Sequence, residues 1–225
     1  MQRTPQSNFI QGGYYHIYNR GNRKQNIFLN EKDYKRYLAK LKEYRQKHNV
    51  TILAYCLMPN HVHFLLRQNS PEPVSTFIQK LHTAYSMYFN KKYEQVGHLF
   101  ADRFKTKIVA RDEYLTHLSR YIHLNPEKLV KKLTAYTWSS YPAYMGIKDD
   151  EITDTKFVLS FFKRKNDSNR DVINAYKYFV KEEAEDLNKI RHLLFGEEHI
   201  PKPLELALKS VTHHPQKNTK NPPGL

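Results

Sequence analysis

The hydrophobic period of this chain changes abruptly near residue 50, and that change restricts the fold more than any other feature. From about Asn30 to Lys47 the apolar positions Tyr34, Tyr37, Leu38, Leu41 and Tyr44 recur three and four residues apart, the spacing of an amphipathic helix with Asn30 as its cap. Val50 to Met58 and His61 to Leu66 are instead dense apolar runs, separated only by Pro59-Asn60. Runs that continuous suit strands covered on both faces, and so short a connection makes them neighbours. The pair is predicted to be a hairpin in the middle of a sheet.

Other elements arrange themselves around this hairpin. Tyr14 to Asn19 (YYHIYN) is aromatic and β-rich and follows a Gly12-Gly13 turn, so it reads as a strand, with a loop at Gly21. A second helix spans about Val74 to Tyr93, with Phe77, Leu81, Ala84, Tyr85 and Tyr88 on one stripe. Phe104 to Val109 alternates like a half-buried strand, and Asp112 can cap a third helix that ends at Asn125-Pro126. The order β-α-β-β-α-β followed by a helix predicts an α+β, ferredoxin-like fold, one sheet with two helices on one face. After Tyr136 the pattern weakens, with helical spacing at Phe157 to Lys163 and Asp171 to Leu194. The chain is therefore divided into a domain at 1–149, a helical appendage at 150–200 and a Pro-rich, flexible tail at 201–225.

With 225 residues, 40% of them hydrophobic, the chain can bury one ordinary core plus an appendage. No stretch reaches the roughly 18 apolar residues of a membrane span, and the start lacks a signal-peptide apolar region, so a cytoplasmic protein without membrane association is expected. The single cysteine, Cys56, sits in an apolar run and reads as a buried thiol. Lys and Arg number 37 against 22 Asp and Glu, a net charge of +15. Nearly all of that excess lies within residues 1–149, which points to a polyanionic partner, usually nucleic acid, for that part.

Two segments carry candidate chemistry. In LMPNHVHFLL, His61 and His63 are two apart on a strand, so both imidazoles share a face while Val62 and Phe64 take the other. Side by side they make half of a metal site. In RYIHLNP, Tyr121 and Asn125 are four apart on a helix and project from one face. Taken singly, each segment has an ordinary structural use: an unrelated histidine pair, a core tyrosine, an asparagine ending a helix before proline. Tyr114 lies two helical turns before Tyr121 on nearly the same face, and remains an alternative to it. His16, His117 and His123 are further candidates for the site, His117 lying one turn before Tyr121, and for each a structural role is the preferred reading.

Taken together with HIYNRGNRKQNIF near the start and GHLFADRF before the last strand, these segments resemble the single-tyrosine HUH-superfamily transposases, which include the REP-associated tyrosine and IS200-like transposases. Four segments in the right order, over roughly residues 12–145, carry the resemblance. It implies that His61, His63 and Asn125 hold a divalent metal, Mg²⁺ or Mn²⁺, and that Tyr121 is the nucleophile. It further implies site-specific cleavage and strand transfer on single-stranded DNA with hairpin ends, through a 5′-phosphotyrosine. Members are often dimeric, so a homodimer, with Tyr121 serving its own or a partner's histidines, stays open. Arg20, Arg23, Lys24, Arg103, Lys105 and Lys107 are candidate phosphate contacts. The competing reading, an RNA-recognition module on the same sheet, lacks its aromatic signature and leaves the histidine pair without a role; a replication-initiator nuclease of the same superfamily would use the same residues. Residues 150–225 are expected to tune substrate choice or assembly.

Overall fold

The computed structural model describes residues 9–110 and 112–181. Four strands form one sheet: β1 (Tyr14–Arg20), β2 (Val50–Met58), β3 (His61–Gln68) and β4 (Lys105–Val109). Their spatial order is β2-β3-β1-β4, and every neighbouring pair is antiparallel. The helices α1 (Glu31–Lys47) and α2 (Val74–Tyr93) alternate with the strands, and α3 (Asp112–Leu124) follows β4. This is the element order expected from the periodicity.

Local chemistry accounts for the elements. Asn30 caps α1 through its side chain, and Asp33 returns the bond by accepting from the Asn30 and Leu29 amides. Asp33 is fully buried and also receives Lys92 Nζ (2.5 Å), Tyr88 Oη (3.1 Å) and Tyr93 Oη (2.8 Å), so the cap of α1 is tied to the end of α2. Burial alone would lift the Asp33 carboxyl, and the bonds from Lys92, Tyr93, the Leu29 amide and Tyr88 together hold it below the usual carboxylate range. At the start of β1, Gly12 takes φ +82°, a left-handed geometry that side chains avoid, and its amide opens the ladder to Gln68.

Strand alternation then sorts the side chains. Tyr15 and Ile17 of β1 and Val62, Phe64 and Leu66 of β3 point to one face, where they form the main core with Tyr37 and Leu41 of α1 and Phe77, Leu81 and Tyr85 of α2. His16 and Tyr18, with His61 and His63, point to the other face, over which α3 lies. Cys56 is buried and unbonded to any other cysteine, and burial pushes its thiol up.

Residues 150–181 pack on this frame. Behind α3 come three short helices, α4 (Tyr141–Tyr144), α5 (Thr155–Ser160) and α6 (Asn169–Lys181). The outer edge of β2 is met by backbone from two later segments: Leu57 N–H donates to Trp138 O, Ser140 N–H to Tyr55 O, and Asp154 N–H to Ile52 O. Tyr176 of α6 reaches α3, where its hydroxyl meets Ser119 Oγ and His123 Nδ1. The rest of the expected appendage and the Pro-rich tail at 201–225 lie outside the described residues. Among the described residues, no helix is long and apolar enough to cross a membrane.

Candidate active site on the histidine face of the sheet

The register of β1 and β3 pairs Arg20 with His61 and Tyr18 with His63, and β4 adds Lys105 opposite Tyr18 and Lys107 opposite His16. Residues directly opposite in an antiparallel pair share a face. One surface of the sheet therefore carries two histidines in the centre, a third histidine and a tyrosine beside them, and two lysines toward the β4 edge. The His61 and His63 rings stand 5.1 Å apart and nearly perpendicular.

Helix α3 brings the other half. Tyr121 is buried, 8% exposed, with its ring edge-on to His63 at 5.4 Å and to His16 at 6.3 Å. Asn125 begins the turn after α3, and its Nδ2 donates to the Tyr121 carbonyl (2.9 Å), which orients the amide with Oδ1 toward His61 Nε2 at 3.3 Å. Tyr114 lies two turns away, about 10 Å along the helix axis.

Hydrogen bonding sets the state of each ring. Asn60 Nδ2 donates to the Lys24 carbonyl, so its Oδ1 is the end that meets His61 Nδ1 at 2.6 Å. An oxygen there requires a proton on Nδ1, and a neutral His61 then turns an Nε2 lone pair toward Asn125 Oδ1. Burial lowers the pKa of His61, opposed by its contact with Asn125 and helped by the charge of Arg20. His63 is lowered well below the usual range, by burial first and then by His61 and His16. Both rings are therefore neutral at pH 7. Tyr121 moves the other way: burial raises its phenol, while a hydrogen bond with Asn125 opposes the rise. It carries its proton at neutral pH.

This donor set suits a divalent cation. Among the described residues, no three His, Cys, Asp or Glu side chains are arranged to hold a metal ion. The Asn125 amide oxygen supplies the further donor: it and His61 Nε2 are two acceptors facing each other, an arrangement that a cation between or beside them satisfies and that a proton on neither does. His63 Nδ1 is 3.1 Å from His16 Nε2, the kind of outer contact that fixes a ligating imidazole.

Among the further histidines, His16, a candidate for which the sequence favours a structural role, stands in the cluster beside His63. The signal for it was the period of β1, but only the strand order shows that β1 lies beside β3. His123 is structural: Nδ1 meets Tyr176 Oη at 2.7 Å and Nε2 meets Ser140 Oγ at 2.8 Å. His117 packs against Phe179.

The six basic residues fall on two segments that the backbone stitches together. Asn22 N–H donates to Leu99 O and Ala101 N–H to Arg20 O, while Gly21 bridges Phe100. Arg20, Arg23, Lys24 and Arg103 are exposed along this seam, and Lys105 and Lys107 are half-buried on the histidine face. Burial, then the neighbouring charge of Lys105, lowers the Lys107 pKa.

A family model described as IS200-like transposase matches residues 10–125, which is more than half of the chain and includes every element of this cluster. The chain belongs to that family. Membership assigns it a transposase role, cutting and transferring DNA. A solved structure of a REP-associated tyrosine transposase bound to a REP hairpin aligns at a TM-score of 0.54 and 15% identity, covering 68% of this chain and 96% of that one. At that identity the likeness shows a shared α+β fold with a four-stranded antiparallel sheet. A crystal structure of a Deinococcus radiodurans R1 protein assigned as a transposase aligns at a TM-score of 0.39 and 16% identity, over 54% of this chain and 95% of that one. No curated protein matches the chain in sequence.

Proposed function

We propose that this IS200-like family member is a site-specific endonuclease and strand transferase for single-stranded DNA with hairpin ends, built on a ferredoxin-like frame, with Tyr121 as nucleophile. The observation that carries the reading is the convergence of His61 Nε2, Asn125 Oδ1 and the Tyr121 ring from a strand and a helix of one chain. The REP hairpin bound by the related transposase supports a hairpin-bearing substrate.

His61, His63 and Asn125 would hold the divalent ion, Mg²⁺ or Mn²⁺. When bound, such an ion supplies Lewis acidity to a phosphate oxygen. The protein's own residues do the rest. Tyr121 attacks phosphorus and a Tyr121 O–P bond forms as the P–O3′ bond breaks; the phenol gives up its proton and the leaving 3′ oxygen gains one. The upstream strand keeps a free 3′-OH, the downstream strand is held as a 5′-phosphotyrosine, and attack by another 3′-OH reverses the step. Burial raises the Tyr121 phenol and so disfavours a free phenolate, which suits loss of the proton during attack. Arg20, Arg23, Lys24, Arg103, Lys105 and Lys107 are assigned to the phosphate backbone, where they set affinity and position.

The test is cleavage of labelled single-stranded hairpin DNA in Mn²⁺ or Mg²⁺ by the wild type, His61→Ala and His63→Ala. Both variants are expected to lose cleavage while binding DNA within a few fold, since affinity comes from phosphate contacts elsewhere. Cleavage by the wild type at an undiminished rate in EDTA would contradict the metal reading.

A further inference from the structure

Asn60, in the two-residue turn between β2 and β3, is held at three points. Its backbone carbonyl accepts from Gly21 N–H (2.8 Å), its Nδ2 donates to the Lys24 carbonyl (3.3 Å), and its Oδ1 meets His61 Nδ1 (2.6 Å). The preceding residue adds to the clamp, since Pro59 O accepts from both Ile27 and Phe28 N–H. The side-chain amide therefore has no choice of orientation: a backbone carbonyl can only accept, so nitrogen faces Lys24 and oxygen faces His61.

We propose that Asn60 is a positioning residue that locks His61 in its Nδ1–H tautomer and aims the Nε2 lone pair at the space beside Asn125. A neutral imidazole free in water prefers the opposite form, with the proton on Nε2. In that form His61 would donate to Asn125 Oδ1 across the 3.3 Å gap and close the site to a cation. Asn60 reverses the preference by offering an acceptor at Nδ1 and a turn that cannot rotate away. The same amide ties His61 to the turn that carries Arg23 and Lys24, both in left-handed backbone at φ 50° and 63°. This inference rests on the reading of His61 as a metal ligand.

The experiment uses ¹⁵N-labelled, metal-free full-length protein, with long-range ¹H–¹⁵N NMR for the ring tautomers and Mn²⁺ titration by electron paramagnetic resonance. Wild-type His61 is expected as the Nδ1–H form. Asn60→Ala should move it toward Nε2–H and weaken Mn²⁺ binding about tenfold or more, the usual effect of removing an outer partner of a ligating histidine. Asn60→Asp keeps the acceptor oxygen and should keep both the tautomer and Mn²⁺ affinity within a few fold. An Nε2–H ring in the wild type overturns the proposal, as does an Asn60→Ala protein with unchanged tautomer and affinity. His61→Ala separates the two readings. If it loses Mn²⁺ while Asn60→Ala does not, only the role of Asn60 fails; if it binds Mn²⁺ like the wild type, the metal-ligand reading itself fails.

Discussion

His82 and His123 are buried among aromatic rings, His82 stacked on Phe100 and His123 between Tyr141, Tyr144 and Tyr176. Burial penalises their charged forms and brings both down to about 3. In the unfolded chain the same rings take up protons near the ordinary 6.5, so between that value and about 3 the unfolded state binds protons that the folded state refuses. Stability is thus complete above the unfolded value and falls as the pH drops below it. Each ring contributes a slope approaching about 1.4 kcal/mol per pH unit, so the pair should remove about 3 kcal/mol between pH 6.5 and 5. Urea unfolding at the two pH values measures this. Equal stabilities at pH 6.5 and 5 would mean that these rings are not held neutral.

At the level of elements, α3 is pinned from behind by the last described helix. Tyr176 Oη bonds both Ser119 Oγ (2.9 Å) and His123 Nδ1 (2.7 Å), and Phe179 lies against His117 and under the Arg120 guanidinium. Removing α6 would bare a helix face whose polar groups have these partners. A chain ending at Met145 is therefore expected to lose cooperative urea unfolding, and Tyr176→Phe to cost about 1–3 kcal/mol by stranding the buried His123 Nδ1, while Ser119 Oγ keeps its bond to the Thr116 carbonyl. Full-length stability in the truncated chain would show that residues 150–181 only rest on the domain. The frame itself was legible, because α1 and α2 carry helical spacing, β2 and β3 are dense apolar runs split by a two-residue turn, β1 is aromatic and β-rich behind a Gly-Gly turn, and the Tyr121 to Asn125 spacing put both on one helix face. The packing of 141–181 was not: α4 has four residues and α5 six, too short for periodicity, and aromatic contacts across some 50 positions leave no local trace. The place of His16 is hidden for the same kind of reason. Its neighbour His63 is 47 residues away, and only the strand order brings them together.

For the molecule as a whole, the sheet supplies neutral imidazoles, the helix supplies a protonated phenol, and a basic seam joins the end of β1 to the segment before β4. A charge of +15 brings DNA to the surface, but charge alone cannot distinguish a binding protein from a transesterase. The two differ in what remains bonded to the protein. Hairpin-bearing single-stranded DNA, labelled downstream of the cut, should be incubated with Mn²⁺ and the wild type, Tyr121→Phe and Tyr114→Phe, then denatured and resolved on a gel. Tyr121→Phe removes one hydroxyl and little packing, so this variant should fold and bind DNA normally. The downstream label should travel with the wild-type and Tyr114→Phe proteins and be free of Tyr121→Phe, whereas an adduct that survives in Tyr121→Phe would contradict the assignment of the nucleophile.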